Sequence, residues 1–127
     1  MATWEDVDRV ARALPGVEAT TEGNRKWLVP KAMLVWERPL RRADLAHLGD
    51  RAPQGDVIGI RVKDEGVKHA LVADNPGVFF TTPHFDDYPA VLCVLADLAV
   101  ADLEELVTEA WLDRAPKRLV KEWLAAR

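Results

Sequence analysis

Cysteine is nearly missing from this chain: Cys93 is the only one among 127 residues. A single thiol cannot close an intrachain disulfide, and no CxxC pair is present to hold a metal or run redox chemistry. No apolar stretch approaches the roughly 20 residues of a membrane-spanning helix. The opening residues Met1-Ala2-Thr3-Trp4-Glu5-Asp6 lack the basic and apolar regions of a secretory signal. A surplus of positive charge is also missing, since the formal net charge is −4, whereas a generic nucleic-acid binder is basic. GxSxG, P-loop, GxGxxG and HExxH motifs are all absent. The expectation is a cytoplasmic protein with no membrane association, no metal, no cofactor and no catalytic residue, hence not an enzyme.

What is present describes a packed domain. At this length residues 1–127 form one domain, which buries about two-thirds of the surface its unfolded chain exposes. Hydrophobic residues make up 49% and charged residues 30%, ordinary values for a folded globular chain. The charge is segregated along the sequence. Residues 24–51 carry seven basic side chains (Arg25, Lys26, Lys31, Arg38, Arg41, Arg42, Arg51) against three acidic, and residues 114–127 carry five against one. Between them, residues 52–113 carry three basic against twelve acidic. Two basic segments therefore flank a strongly acidic one, a pattern that the net charge conceals.

The periodicity predicts an α+β order. Thr3 caps a first helix whose stripe is Trp4, Val7, Val10, Ala11 and Leu14, ended by Pro15-Gly16. Residues 25–29 and 33–37 read as two strands joined at Pro30-Lys31. Proline cannot adopt the positive φ of a type I′ turn, so this tip is expected to be longer or irregular, and the register stays open. A short helix from Leu40 to Leu48 ends at Gly49, and Val57–Val62 is a strand. Asp64 caps a helix expected to turn Val67, Ala70 and Leu71 inward. Val78–Thr81 is a short strand, and the apolar run Ala90–Ala96 reads as an inner strand with Cys93 buried. Asp102 with Glu105 resembles a capping box for a helix whose face is Leu103, Leu106, Val107, Ala110 and Trp111. Pro116 opens a last helix with Leu119, Val120, Trp123 and Leu124 inward. These elements predict one mainly antiparallel sheet of about five strands, with helices packed mainly on one side.

The densest polar and aromatic stretch is Thr81-Thr82-Pro83-His84-Phe85-Asp86-Asp87-Tyr88-Pro89. Its histidine and carboxylates are metal-ligand types, but His47 and His69 stand alone and complete no spaced set. A hydrogen-bonded loop is the expected reading, and Thr82, His84 and Tyr88 are the residues on which a small-molecule pocket would centre. Of the five tryptophans, Trp4, Trp111 and Trp123 fall on predicted inner helix faces. Trp27 and Trp36 flank the basic hairpin, where aromatics and cations together are also what single-strand binding surfaces use.

Three stretches together resemble the MmcQ/YjbR family of small bacterial proteins: Val78–Leu92, Glu109–Leu119 and, more weakly, Ala13–Glu18 ahead of a hairpin. Their order and spacing agree with that family over nearly the whole chain. The resemblance implies a frataxin-like (CyaY-like) arrangement and DNA binding through a double wing of hairpins, with no catalytic residue or cofactor. On this chain the first wing would be the hairpin Arg25–Glu37 with Lys31 near its tip, where Pro30-Lys31 stands in place of the commoner glycine turn. The matching helix-turn would be Ala115-Pro116-Lys117-Arg118. The first expectation is therefore weak, salt-dependent DNA binding through Arg25, Lys26, Lys31, Arg38, Arg41, Arg42, Lys117, Arg118 and Lys121, converging on one positive face. The alternatives are a small-molecule or metal pocket at Thr82, His84 and Tyr88, or an adaptor that binds a protein partner.

Overall fold

A computed structural model describes residues 1–20 and 22–127. Helix α1 (Trp4–Arg12) starts where Thr3 and Asp6 cap each other: the Asp6 amide donates to the Thr3 hydroxyl at 3.2 Å, and the Thr3 amide donates to the Asp6 carboxylate at 2.9 Å. Strands β1 (Glu18–Thr20), β2 (Lys26–Val29) and β3 (Ala32–Glu37) follow, then α2 (Arg42–Leu48), closed by Gly49 at φ 56°. Strand β4 (Val57–Arg61), helix α3 (Glu65–Asp74), strands β5 (Phe79–Phe80) and β6 (Ala90–Val94), and helices α4 (Val100–Arg114) and α5 (Lys117–Ala125) complete the chain.

The six strands form one antiparallel sheet in the order β1-β2-β3-β4-β6-β5. The sheet is thus one strand larger than the sequence suggests. The addition is β1, whose three residues Glu-Ala-Thr show no apolar alternation to reveal them. The run from Ala90 does form an inner strand with every residue buried, and Cys93 is fully enclosed, but it ends at Val94. Leu95–Asp97 is a 3-10 turn.

Of the two expectations for the β2–β3 hairpin, a longer or an irregular connection, the tip is not longer. Val29 pairs with Ala32, so Pro30-Lys31 is a two-residue turn, and neither residue has positive φ. The irregularity sits deeper. Trp27 pairs with Val35 while Leu28 pairs with Met33, which leaves Leu34 as a bulge residue. The register settles the tryptophans: Trp27 shares a face with Val35 and Trp36 with Lys26, so the two indoles lie on opposite sides of the sheet.

Each side has its own core. The first is formed by Trp27, Val35, Ile58, Ile60, Val91 and Cys93 under α1 and α4, with Trp111 fully buried and Leu119, Val120 and Trp123 of α5 packed at its edge. The second, smaller core gathers Trp36, Leu92, Val94 and Phe85. Trp36 lies flat on β4 because its cross-strand partner is Gly59. A Cβ at Gly59 would come within 2.5 Å of the indole, so glycine is required there by close approach.

Three helix assignments differ from the periodicity reading. The α3 side chain that is buried is Lys68, whereas Val67 is 38% exposed and Ala70 is also exposed. Helix α4 begins at Val100 behind Ala99, a turn earlier than an Asp102 cap would allow. In α5, Leu124 is exposed. Among the described residues no helix is long and apolar enough to cross a membrane.

Candidate functional site

The basic residues do not form a single face. Lys31, at the β2–β3 tip, meets Lys117 and Lys121 of α5 across an open cleft of about 710 Å³ with Val120 and Leu124 at its apolar wall. Pro116 precedes the first turn of α5, which has no acidic residue and no side-chain cap. The first intrahelical bond there runs from the Val120 amide to the Pro116 carbonyl at 3.1 Å, so the preceding amides face outward with the positive end of the helix dipole. Arg118 is exposed and touches Glu122 at 3.4 Å, while Arg114 at the cleft margin pairs with Asp113 at 3.1 Å.

The other predicted cations lie elsewhere. Arg25 pairs with Glu37 at 3.3 Å and lies over the Trp4 ring at 4.8 Å. Lys26 and Arg41 line a different cavity, on the Trp36 side of the sheet. Arg42 opens α2 as an exposed residue. Arg38 is withdrawn from the surface. It is 5% exposed, its guanidinium lies 3.0 Å from the Asp44 carboxylate and over the Phe85 ring, and it donates to the Pro39 carbonyl. A guanidinium held this way does not contact phosphate, so Arg38 is a structural residue. Convergence is thus limited to Lys31, Lys117 and Lys121, because the sheet separates α5 from the face that carries Lys26.

The 82–88 loop is organised by buried polar groups. His84 and Tyr88 line the Trp36-side cavity, whereas Thr82 is only 1% exposed and does not line it. Burial works against the Asp44 carboxylate, yet the Arg41 amide, donating at 2.8 Å, and the Arg38 guanidinium at 3.0 Å help to lower its pKa. From the other side Lys68, 2% exposed, donates to the carbonyls of Phe85 at 2.9 Å and Tyr88 at 3.0 Å and pairs with Glu65 at 2.8 Å. Arg61 donates to the Tyr88 hydroxyl at 3.1 Å and lies over its ring. Sequence reasoning missed Lys68 because lysine was counted as solvent-facing. Its spacing of three and four residues from the half-buried Leu71 and Val72 was the available signal.

Cys93 supplies no nucleophile: burial, with a smaller contribution from Asp97, pushes its thiol up to about 12. Among the described residues no three His, Cys, Asp or Glu side chains are grouped to hold a metal ion.

Sequence comparison finds 56% identity over 128 aligned residues, covering 98% of both chains, with uncharacterized protein Rv2570 of Mycobacterium tuberculosis. The same figures hold for uncharacterized protein Mb2600 of Mycobacterium bovis. The chain belongs to their family. No family model matches the chain. Among solved structures it is similar to Deinococcus radiodurans protein DR2400, a DUF419 domain. That likeness has a TM-score of 0.63 and 18% identity, and covers 88% of this chain and 78% of the other. It concerns the fold alone.

Proposed function

We propose that this domain is a non-enzymatic, cytoplasmic DNA-binding protein of the MmcQ/YjbR type that grips the phosphate backbone between its β2–β3 tip and the start of α5. The observation that carries the reading is the placement of Lys31 opposite Lys117 and Lys121 across one cleft. The amino end of α5, without an acidic residue in its first turn, adds outward amides and a favourable dipole for an anion. The motif resemblance and the hairpin-plus-helix-turn arrangement support the same partner.

Phosphate contacts position a protein on DNA without reading its sequence. Binding is therefore general among duplexes and sensitive to salt. If Lys31, Lys117, Arg118 and Lys121 each neutralise one phosphate, log affinity falls with log salt at a slope of about −3.6. The test is a titration of labelled duplex at low and moderate salt, with the double variant Lys117→Glu, Arg118→Glu beside the wild type. The variant should bind every duplex more weakly and with a shallower slope. Absence of binding at low salt, or equal binding by the variant, would refute the proposal.

A further inference from the structure

Four polar or charged side chains are buried among the described residues, namely Arg38, Asp44, Lys68 and Thr82. All four belong to or surround one loop, residues 82–88: Thr82 opens it, Arg38 lies over Phe85 and pairs with Asp44 at 3.0 Å, and Lys68 holds the Phe85 and Tyr88 carbonyls. Buried charge is often no more stabilising than apolar packing of equal volume, so its concentration around one short loop points to a role beyond holding the fold. Asp87 in that loop is the one non-glycine residue with positive φ, 63°, among those described. Backbone strain of this kind persists where the surroundings enforce it, and it clusters at ligand sites.

The loop walls a cavity of about 630 Å³ on the Trp36 side of the sheet, within the range of small-molecule sites. Its floor is aromatic, with Trp36 and Tyr88 ring centroids 6.5 Å and 6.0 Å from that of Phe85. Its walls carry opposite charges from different elements. Lys26 of β2 and Arg41 before α2 supply cations, and Asp86 and Asp87 of the loop supply carboxylates. None of these four enters an ion pair among the described residues. The remaining lining carboxylate, Glu37, is taken by Arg25.

We propose that this cavity binds a small zwitterion bearing an aromatic ring, of the aromatic α-amino acid class. The ring lies on the Trp36, Phe85 and Tyr88 floor, the carboxylate faces Lys26 and Arg41, and the ammonium faces Asp86 and Asp87. Neither an anion nor a cation alone satisfies both walls. The site is separate from the proposed phosphate cleft and does not depend on it.

Three probes that share one ring test the assignment: L-phenylalanine, 3-phenylpropionate without the amine, and phenethylamine without the carboxylate. Each is titrated into the isotope-labelled protein while the amide resonances of residues 84–88 and the Trp36 indole are followed. Phenylalanine should shift these resonances and bind at least about tenfold more tightly than either truncated probe, the effect of one lost charged contact. Lys26→Gln with Arg41→Gln should abolish the preference over phenethylamine, and Asp86→Asn with Asp87→Asn the preference over phenylpropionate. Lys117→Glu with Arg118→Glu should leave phenylalanine binding unchanged. The proposal is overturned if all three probes bind alike, if a truncated probe binds best, or if none shifts the loop resonances at millimolar concentration.

Discussion

Replacing Lys68 by methionine isolates the clasp that holds the 82–88 loop. Methionine keeps the apolar stem that α3 packs against the sheet and removes only the ammonium. The change deletes the bonds to the Phe85 and Tyr88 carbonyls at 2.9 and 3.0 Å. Each bond from a charged donor contributes about 1.5–3 kcal/mol. Two effects reduce the loss. Both carbonyls keep a backbone partner, the Tyr88 amide on Phe85 and the Ala90 amide on Tyr88, and methionine avoids the dehydration that the ammonium suffers. The Glu65 carboxylate is 37% exposed, so release of that ion pair adds less than about 1 kcal/mol. The net expectation is a loss of about 2 kcal/mol, which lowers the midpoint of a chain of this length by about 8 °C. Urea and thermal unfolding measure it, and limited proteolysis should show faster cleavage within 82–88 than elsewhere. A Lys68→Met protein as stable as the wild type, with the loop equally protected, would show that apolar packing alone fixes the loop.

Two further outcomes follow from the cores. Gly59→Ala drives a methyl group to within 2.5 Å of the Trp36 indole, and overpacking of this kind should destabilise the domain by about 1–3 kcal/mol and change the Trp36 fluorescence; an unperturbed variant would mean the indole has room to move. The Cys93 thiol, fully buried and raised to about 12, should resist a bulky thiol reagent in the native protein and react once it is unfolded. Because the raised value keeps the native thiol protonated, its contribution to stability is full below the ordinary value of 9.0 and declines as the pH rises toward about 12; Cys93→Ala should remove that alkaline component, and an unchanged pH profile would contradict it.

The fold was legible where one physical signal dominated. The Thr3 cap, the buried run from Ala90 and the spaced face of α4 each follow from periodicity or a local hydrogen bond, and each appears in the structure. Failures occurred where two signals competed. Pro30 excludes a type I′ turn and so points to a longer or irregular tip; the chain closes the hairpin with two residues and places the irregularity in a bulge at Leu34. Such a compensation involves residues four positions away, which a local rule cannot anticipate.

The candidate sites were less legible, because charge along a sequence does not specify charge on a surface. Arg25, Lys26 and Lys31 are neighbours in the chain, yet one pairs near α1, one faces the Trp36 side, and one sits at the tip. Alternation along β2 and its turn sends them in three directions. Lys31 and Lys117, by contrast, are distant in sequence and meet because α4 runs along the first core and delivers the start of α5 beside the hairpin tip. The same logic applies to the second core. Arg38 and Lys68 look like ordinary solvent-facing cations in the sequence, and only the closing of the sheet by β4 and β6 encloses them around Phe85. A basic residue therefore acquires its role here from the element that covers it, so the exposed pair Lys117 and Arg118 and the enclosed pair Arg38 and Lys68 should respond oppositely to substitution. On the proposed function, substituting the first pair should weaken duplex binding in the titration with the unfolding midpoint unchanged, and substituting the second should lower the midpoint first.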